Sequence, residues 1–237
     1  MNEICKAGRV ERLESNSVEM AEINRFSLKE LTPESVFTFK VAMCDNAVDR
    51  TSERFTENCL LKLAELYVGK TVIFDHKRSA ENQVARVYKT EITEGNAGYQ
   101  QLVGHCYMVR TATNQDLITE IEAGIKKEVS VSCSVGKMVC NICGTNNANV
   151  FCEHWPGREY DGKACVFELS EPGDAYELSF VPVPAQPAAG TLKRYEGKPL
   201  EKHGTEPKED TRDATEICLK TVESFIFSEN ERCNVNE

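Results

Sequence analysis

The chain has 237 residues, 41% of them hydrophobic, and its 38 acidic against 28 basic side chains give a formal net charge of −10. That length can bury one full core with room for a small second unit or a tail. The acidic balance opposes a phosphate backbone, whose attraction to Lys and Arg supplies most non-specific nucleic-acid affinity. No apolar run approaches the ~20 residues that cross a bilayer, and the N-terminal MNEICKAGRVERLE lacks the apolar centre of a signal peptide. A soluble, intracellular protein is therefore expected, with neither nucleic acid nor membrane as its main partner. The eleven cysteines are an odd number in a chain too long to need disulfide staples, so they are read as reduced thiols, some of them open to a metal.

Residues 1–33 mix short apolar spots with charge, and the core is expected to begin near Glu34. Residues 36–43 (VFTFKVAM) read as a strand because β-branched and aromatic residues dominate them. In residues 56–67, Leu60, Leu61, Leu63, Ala64 and Tyr67 fall at helical spacing, with Thr56 as the cap and Gly69 as the stop. Residues 70–74 (KTVIF) form a buried strand running into Asp75 and His76, which puts His76 where a strand gives way to a loop. Further strands are expected at 83–90 and 100–109, either side of a turn at 94–98.

Leu117, Ile118, Ile121 and Ile125 share one face of a short helix expected over 116–125, capped by Asn114. In residues 128–135 (EVSVSCSV), alternation sends Val129, Val131, Cys133 and Val135 into the core and Ser130, Ser132 and Ser134 to the opposite face. Residues 176–183 (YELSFVPV) are the last strong strand, followed by a breaker-rich exit at 184–190. From 193 to 215 the chain reads as a charged linker, and 217–227 could form a small helix. The expected organisation is an N-terminal segment 1–33, a main domain 34–192 with an insertion 137–165, and a charged tail 193–237.

That insertion carries Cys140-x2-Cys143 followed by Cys152-x-His154. Thiolate and imidazole suit tetrahedral Zn2+, and Gly144 after the Cys-x2-Cys turn resembles a zinc knuckle. Four protein ligands would close the shell, so the expected role is structural rather than catalytic; Cys165 is a reserve ligand, and unligated thiols in a loop are the alternative.

A His after one strand and a Ser on another carry little weight alone. Yet GKTVIFDHKR, QVARVY, an amphipathic helix leading to KKEVSVSCSV, and DAYELSFVPVPAQPAAG follow one another in an order and spacing that resemble the prohead proteases of tailed bacteriophages, over roughly residues 36–192. The resemblance implies an α+β fold built on a closed or nearly closed antiparallel β-barrel, as in the distantly related herpesvirus assembly proteases. It also implies a serine endopeptidase that cuts scaffold and major capsid protein segments, and its own chain, inside the immature capsid in the host cytoplasm.

By that resemblance His76 is the general base and Ser130, 54 positions later, the nucleophile. Ser132 and Cys133 stand where the family commonly has Gly and an aromatic residue, so Ser132 ranks second as nucleophile, and Cys133 is read as a buried thiol. Glu177 matches an acidic family position as the group orienting the base, with Asp174 and His105 as alternatives. Arg86 matches a recurrent arginine, near the oxyanion or in a supporting ion pair. Two other classes stay open: a catalytically idle scaffolding protein of the capsid, and a zinc-dependent nucleic-acid module that the acidic charge opposes. Oligomeric state is not determined by these features.

Overall fold

A computed structural model describes residues 2–13 and 17–183. The fold is α+β, with mostly strands and few helices. In chain order it runs β1 (Asn2–Leu13), α1 (Ser17–Asn24), β2 (Val36–Asp45), β3 (Glu53–Phe55), α2 (Glu57–Tyr67), β4 (Thr71–Phe74), β5 (Ala85–Glu94), β6 (Gln100–Val109), α3 (Gln115–Glu122), β7 (Glu128–Cys140), β8 (Glu159–Tyr160), β9 (Lys163–Ala164) and β10 (Phe167–Phe180). The main sheet has the order β3-β10-β4-β5-β6-β2-β1-β7, and β7 also pairs with β10. Strands β8 and β9 form a separate hairpin, turned by Asp161 and Gly162 at φ 50° and 77°, the left-handed pair that a two-residue turn requires. Among the described residues no helix is long and apolar enough to cross a membrane.

The sheet starts earlier than the composition of residues 1–33 indicates. Strand β1 pairs antiparallel with β2, Val10 opposite Val41, and with β7, Ala7 opposite Ser130. Backbone pairing placed it there despite its mixed charge, a case where tertiary partners override local pattern. Two long strands were also read too short from sequence: β7 continues to Cys140 and β10 begins at Phe167, because the two pair along their length, from Phe167↔Cys140 to Phe180↔Val129.

The core lies between the sheet and α2. Thr56 caps α2 by accepting a hydrogen bond from the Cys59 amide at 3.3 Å, and Cys59, Leu60, Leu63 and Tyr67 are buried beneath it. Gly69, at φ 85°, ends that segment in a conformation that side chains resist. Phe39, Phe74 and Phe180 cluster with ring centroids 6.1 Å (Phe39–Phe180) and 5.7 Å (Phe74–Phe180) apart. Tyr67 spends its hydroxyl on the carbonyl of Ser132, at 2.8 Å in the buried interior, so the helix holds the middle of the serine-bearing strand.

Helix α3 differs from expectation at both ends. Asn114 makes no side-chain cap; its amide accepts from Thr111 N–H at 2.9 Å and donates to the Val109 carbonyl at 2.7 Å, bracing the loop before the helix. Ile118 and Ile121 are buried, but Ile125 lies beyond the helix and is 70% exposed. The tail 193–237, the possible helix at 217–227 and the exit 184–190 lie outside the described residues.

Candidate active site

Strands β4, β7 and β10 bring together residues far apart in the chain. β4 runs parallel to β10, Phe74 opposite Phe180, and β10 runs antiparallel to β7. The register of β10 on β7 shifts between Ala175 and Glu177. That extra residue decides the site, since a shift of one turns every following side chain to the other face. Without it Tyr176 would face Ser132; with it Glu177 faces Ser132 and Ser179 faces Ser130. Cross-strand partners have Cβ atoms about 4.5–5.5 Å apart, so one face of the sheet carries Ser130, Ser132, Glu177 and Ser179 side by side.

His76 reaches this face from the end of β4. Asp75 and His76 both have left-handed backbone, φ 51° and 54°, a conformation that costs non-glycine residues on the order of 1 kcal/mol each. The turn is held from several sides: Asp75 N–H bonds to the Phe180 carbonyl at 3.0 Å, His76 N–H to Ser179 Oγ at 3.0 Å, and the Asn82 amide to the Phe74 and Lys77 carbonyls, both at 2.8 Å. The imidazole Nδ1 lies 2.7 Å from Glu177 Oε1, and Ser179 Oγ donates to Glu177 Oε2 at 2.7 Å. Glu177 is 1% exposed, and these two bonds account for both of its oxygens. An ionised carboxylate only accepts hydrogen bonds, so beside it Nδ1 carries a proton.

Of the three candidates for orienting the base, Glu177 is the one bonded to His76. Asp174 pairs with Lys70 at 2.9 Å. His105 is buried on β6 beside Glu91 (3.1 Å) and the ring of Tyr88. Arg86 sits opposite Thr71, at the far end of β4 from His76, and donates to the Gly69 carbonyl at 2.6 Å; it braces the turn after α2. The cation beside the serines is Arg78, which donates to Ser132 Oγ at 2.8 Å and lies 4.7 Å from the centre of the Tyr176 ring. Sequence reasoning passed over Arg78 and Ser179; Ser179 stands two residues after Glu177 on β10, a spacing that in a strand means the same face, whereas Arg78 lies in the loop after β4, where that periodicity gives no signal.

The two candidate nucleophiles differ in setting. Ser132 is fully buried and takes the Arg78 bond, whereas Ser130 is 5% exposed and two paired positions nearer the strand ends. Cys133 is buried on the opposite, core face. Chemically, the face presents a hydroxyl row, an imidazole held through Nδ1 and a buried carboxylate behind it, the parts that general-base activation of a hydroxyl requires.

The second cluster is local. The ligand atoms of Cys140, Cys143, Cys152 and His154 all lie within 4.8 Å of one another and could hold a metal ion. Gly144, at φ 74°, closes the turn with its N–H on the Cys140 carbonyl at 2.8 Å, bringing Cys143 back toward Cys140. Hydrogen bonds from the Thr145 hydroxyl and amide pull the Cys143 thiol down to about 6, toward the thiolate that metals bind. His154 Nδ1 is buried without a hydrogen-bond partner, a donor that an ion would satisfy. Cys165 Sγ lies 3.8 Å from Cys140 Sγ, but burial, then the neighbouring Cys140, pushes its thiol up to about 11, so it favours the protonated form. No family model, curated protein or solved structure matches the chain.

Proposed function

We propose that the protein is a serine endopeptidase of the prohead-protease type, with Ser130 as nucleophile, His76 as general base and Glu177 as the group that orients and charge-balances the imidazole. The observation that carries this reading is the 2.7 Å His76–Glu177 bond on the same face as the serine row. His76 Nε2 accepts the serine proton as the hydroxyl attacks a peptide carbonyl, and the imidazolium then protonates the leaving amine. Glu177, with Ser179 on its second oxygen, favours the cation while it exists. Arg78 supplies fixed positive charge beside the developing oxyanion, a role suited to a preorganised donor. Slight exposure favours Ser130 over the enclosed Ser132.

The strand succession supports the barrel reading of the fold, since the pairings run from β10 through β4, β5, β6, β2, β1 and β7 back to β10, as closure requires. The substrates are scaffold and major capsid protein segments and the chain's own tail, cut within the immature capsid. The cysteine cluster holds a structural Zn2+ through Cys140, Cys143, Cys152 and His154, with no part in the reaction.

Intact mass of the purified protein, alone and co-expressed with its capsid protein, tests this. Fragments present in the wild type and absent in Ser130→Ala support it; loss only in Ser132→Ala moves the nucleophile, and an uncut wild type in assembled heads favours the idle scaffold.

A further inference from the structure

Ser179 is fully buried on β10, and its hydroxyl meets both the residue read as the base and the carboxylate behind it. His76 N–H donates to Ser179 Oγ at 3.0 Å, and that hydroxyl donates to Glu177 Oε2 at 2.7 Å. The other carboxylate oxygen, Oε1, lies 2.7 Å from His76 Nδ1. The three contacts make a closed ring that leaves His76 at its backbone and returns at its imidazole.

The ring has one polarity. A backbone N–H can only donate, so Ser179 accepts there, and a serine hydroxyl has a single proton to give. That proton goes to Glu177, which sets Ser179 apart from Ser130 and Ser132 as a candidate for attack. Glu177 has both oxygens engaged in a site where it is 1% exposed, so its carboxylate cannot rotate without leaving a buried acceptor unpaired. Ser179 is also the cross-strand partner of Ser130, so the His76 backbone is tied to the nucleophile's own position along the sheet. Left-handed His76, at φ 54°, needs such a tie, since strained backbone persists only where its surroundings over-determine it.

We infer that Ser179 is a positioning residue: it fixes the Glu177 carboxylate and the His76 turn together, level with Ser130, and so sets where the imidazole meets the nucleophile. This rests on the endopeptidase reading and adds to it a residue that acts through His76 and Glu177 rather than on the substrate.

The test uses the full chain as wild type, Ser179→Ala and Ser179→Cys, with His76→Ala as the reference. Alanine removes the hydroxyl. Cysteine refills the space with a weak donor, which separates hydrogen bonding from packing and serves where the alanine variant does not fold. Fluorophosphonate labelling over a range of reagent concentrations gives the saturating rate and the half-saturating concentration. Proton NMR reads the low-field Nδ1 proton of His76, identified by its loss in His76→Ala. Both Ser179 variants are expected to label about ten- to a hundredfold slower at saturation, part of the roughly 10²–10⁴-fold that a placed general base supplies. Their half-saturating concentrations stay near the wild-type value, and the Nδ1 resonance shifts or broadens in both. A folded variant that labels at the wild-type rate, or an Nδ1 signal unmoved in Ser179→Cys, overturns the inference and leaves the endopeptidase standing. A wild type that does not label removes the endopeptidase, and the inference with it.

Discussion

The serine face and the cysteine cluster solve the same problem, holding polar groups in fixed geometry, by opposite means. The cysteine cluster gathers four donors from fifteen consecutive residues around one glycine turn. The serine face gathers His76, Ser130 and Glu177 from three strands, with His76 and Glu177 101 residues apart. A local cluster needs little of the fold to persist; a long-range one exists only if two strand registers and a bulge are right. The two should therefore fail independently and under different insults.

The largest effect should come from the hydrogen-bonded core of the serine face. His76→Ala should lower proteolysis by on the order of 10⁴-fold, and Glu177→Gln by about 10²–10⁴-fold, because an amide no longer dictates the Nδ1–H tautomer. Rates of self-cleavage, with circular dichroism as a check on folding, measure this. A Glu177→Gln protein as active as the wild type would separate the carboxylate from the reaction.

Metal removal should discriminate the two regions next. Chelation, or Cys143→Ser, is expected to loosen residues 137–165 and leave self-cleavage at 25 °C within about threefold, since a closed structural site takes no part in bond breaking. Hydrogen exchange of the insertion, alongside the cleavage rate, reads both sides. Stoichiometric loss of activity with an unchanged fold would show that the regions are coupled.

Tyr67→Phe should be milder, costing about 1 kcal/mol of stability by removing the buried bond to the Ser132 carbonyl, with a shift in thermal midpoint as the measure. The smallest effect concerns acid. Burial holds His105 below the usual imidazole range, against the opposing pull of Glu91. A group depressed in this way contributes stability above its unfolded value near 6.5 that is lost as pH falls through the folded one. His105→Gln should therefore flatten the acid limb of the stability profile, leaving neutral pH little changed.

Much of this architecture is legible in the sequence where a signal is local. The capped helix α2, the strand leading to His76 and the alternating serine strand follow from spacing and composition, and the four donors of the cysteine cluster stand close together in the chain. The facing of Glu177 is different. Alternation puts Glu177 and Ser179 on one face of β10, but only the register shift after Ala175 makes it the face of Ser130 and Ser132, and no composition rule announces such a shift. Strand β1 was hidden because its charges obscure a backbone that pairs on both sides. Periodicity puts Ile125 on the apolar face of the helix, but it does not record that the helix stops at Glu122.

The most direct measurement is covalent labelling of the full chain with a fluorophosphonate, with the adduct mapped by peptide mass. A single adduct on Ser130, abolished in His76→Ala and strongly slowed in Glu177→Gln, is the predicted result. An unlabelled wild type, or an adduct that forms equally well without His76, would contradict the assignment of this face as the catalytic site.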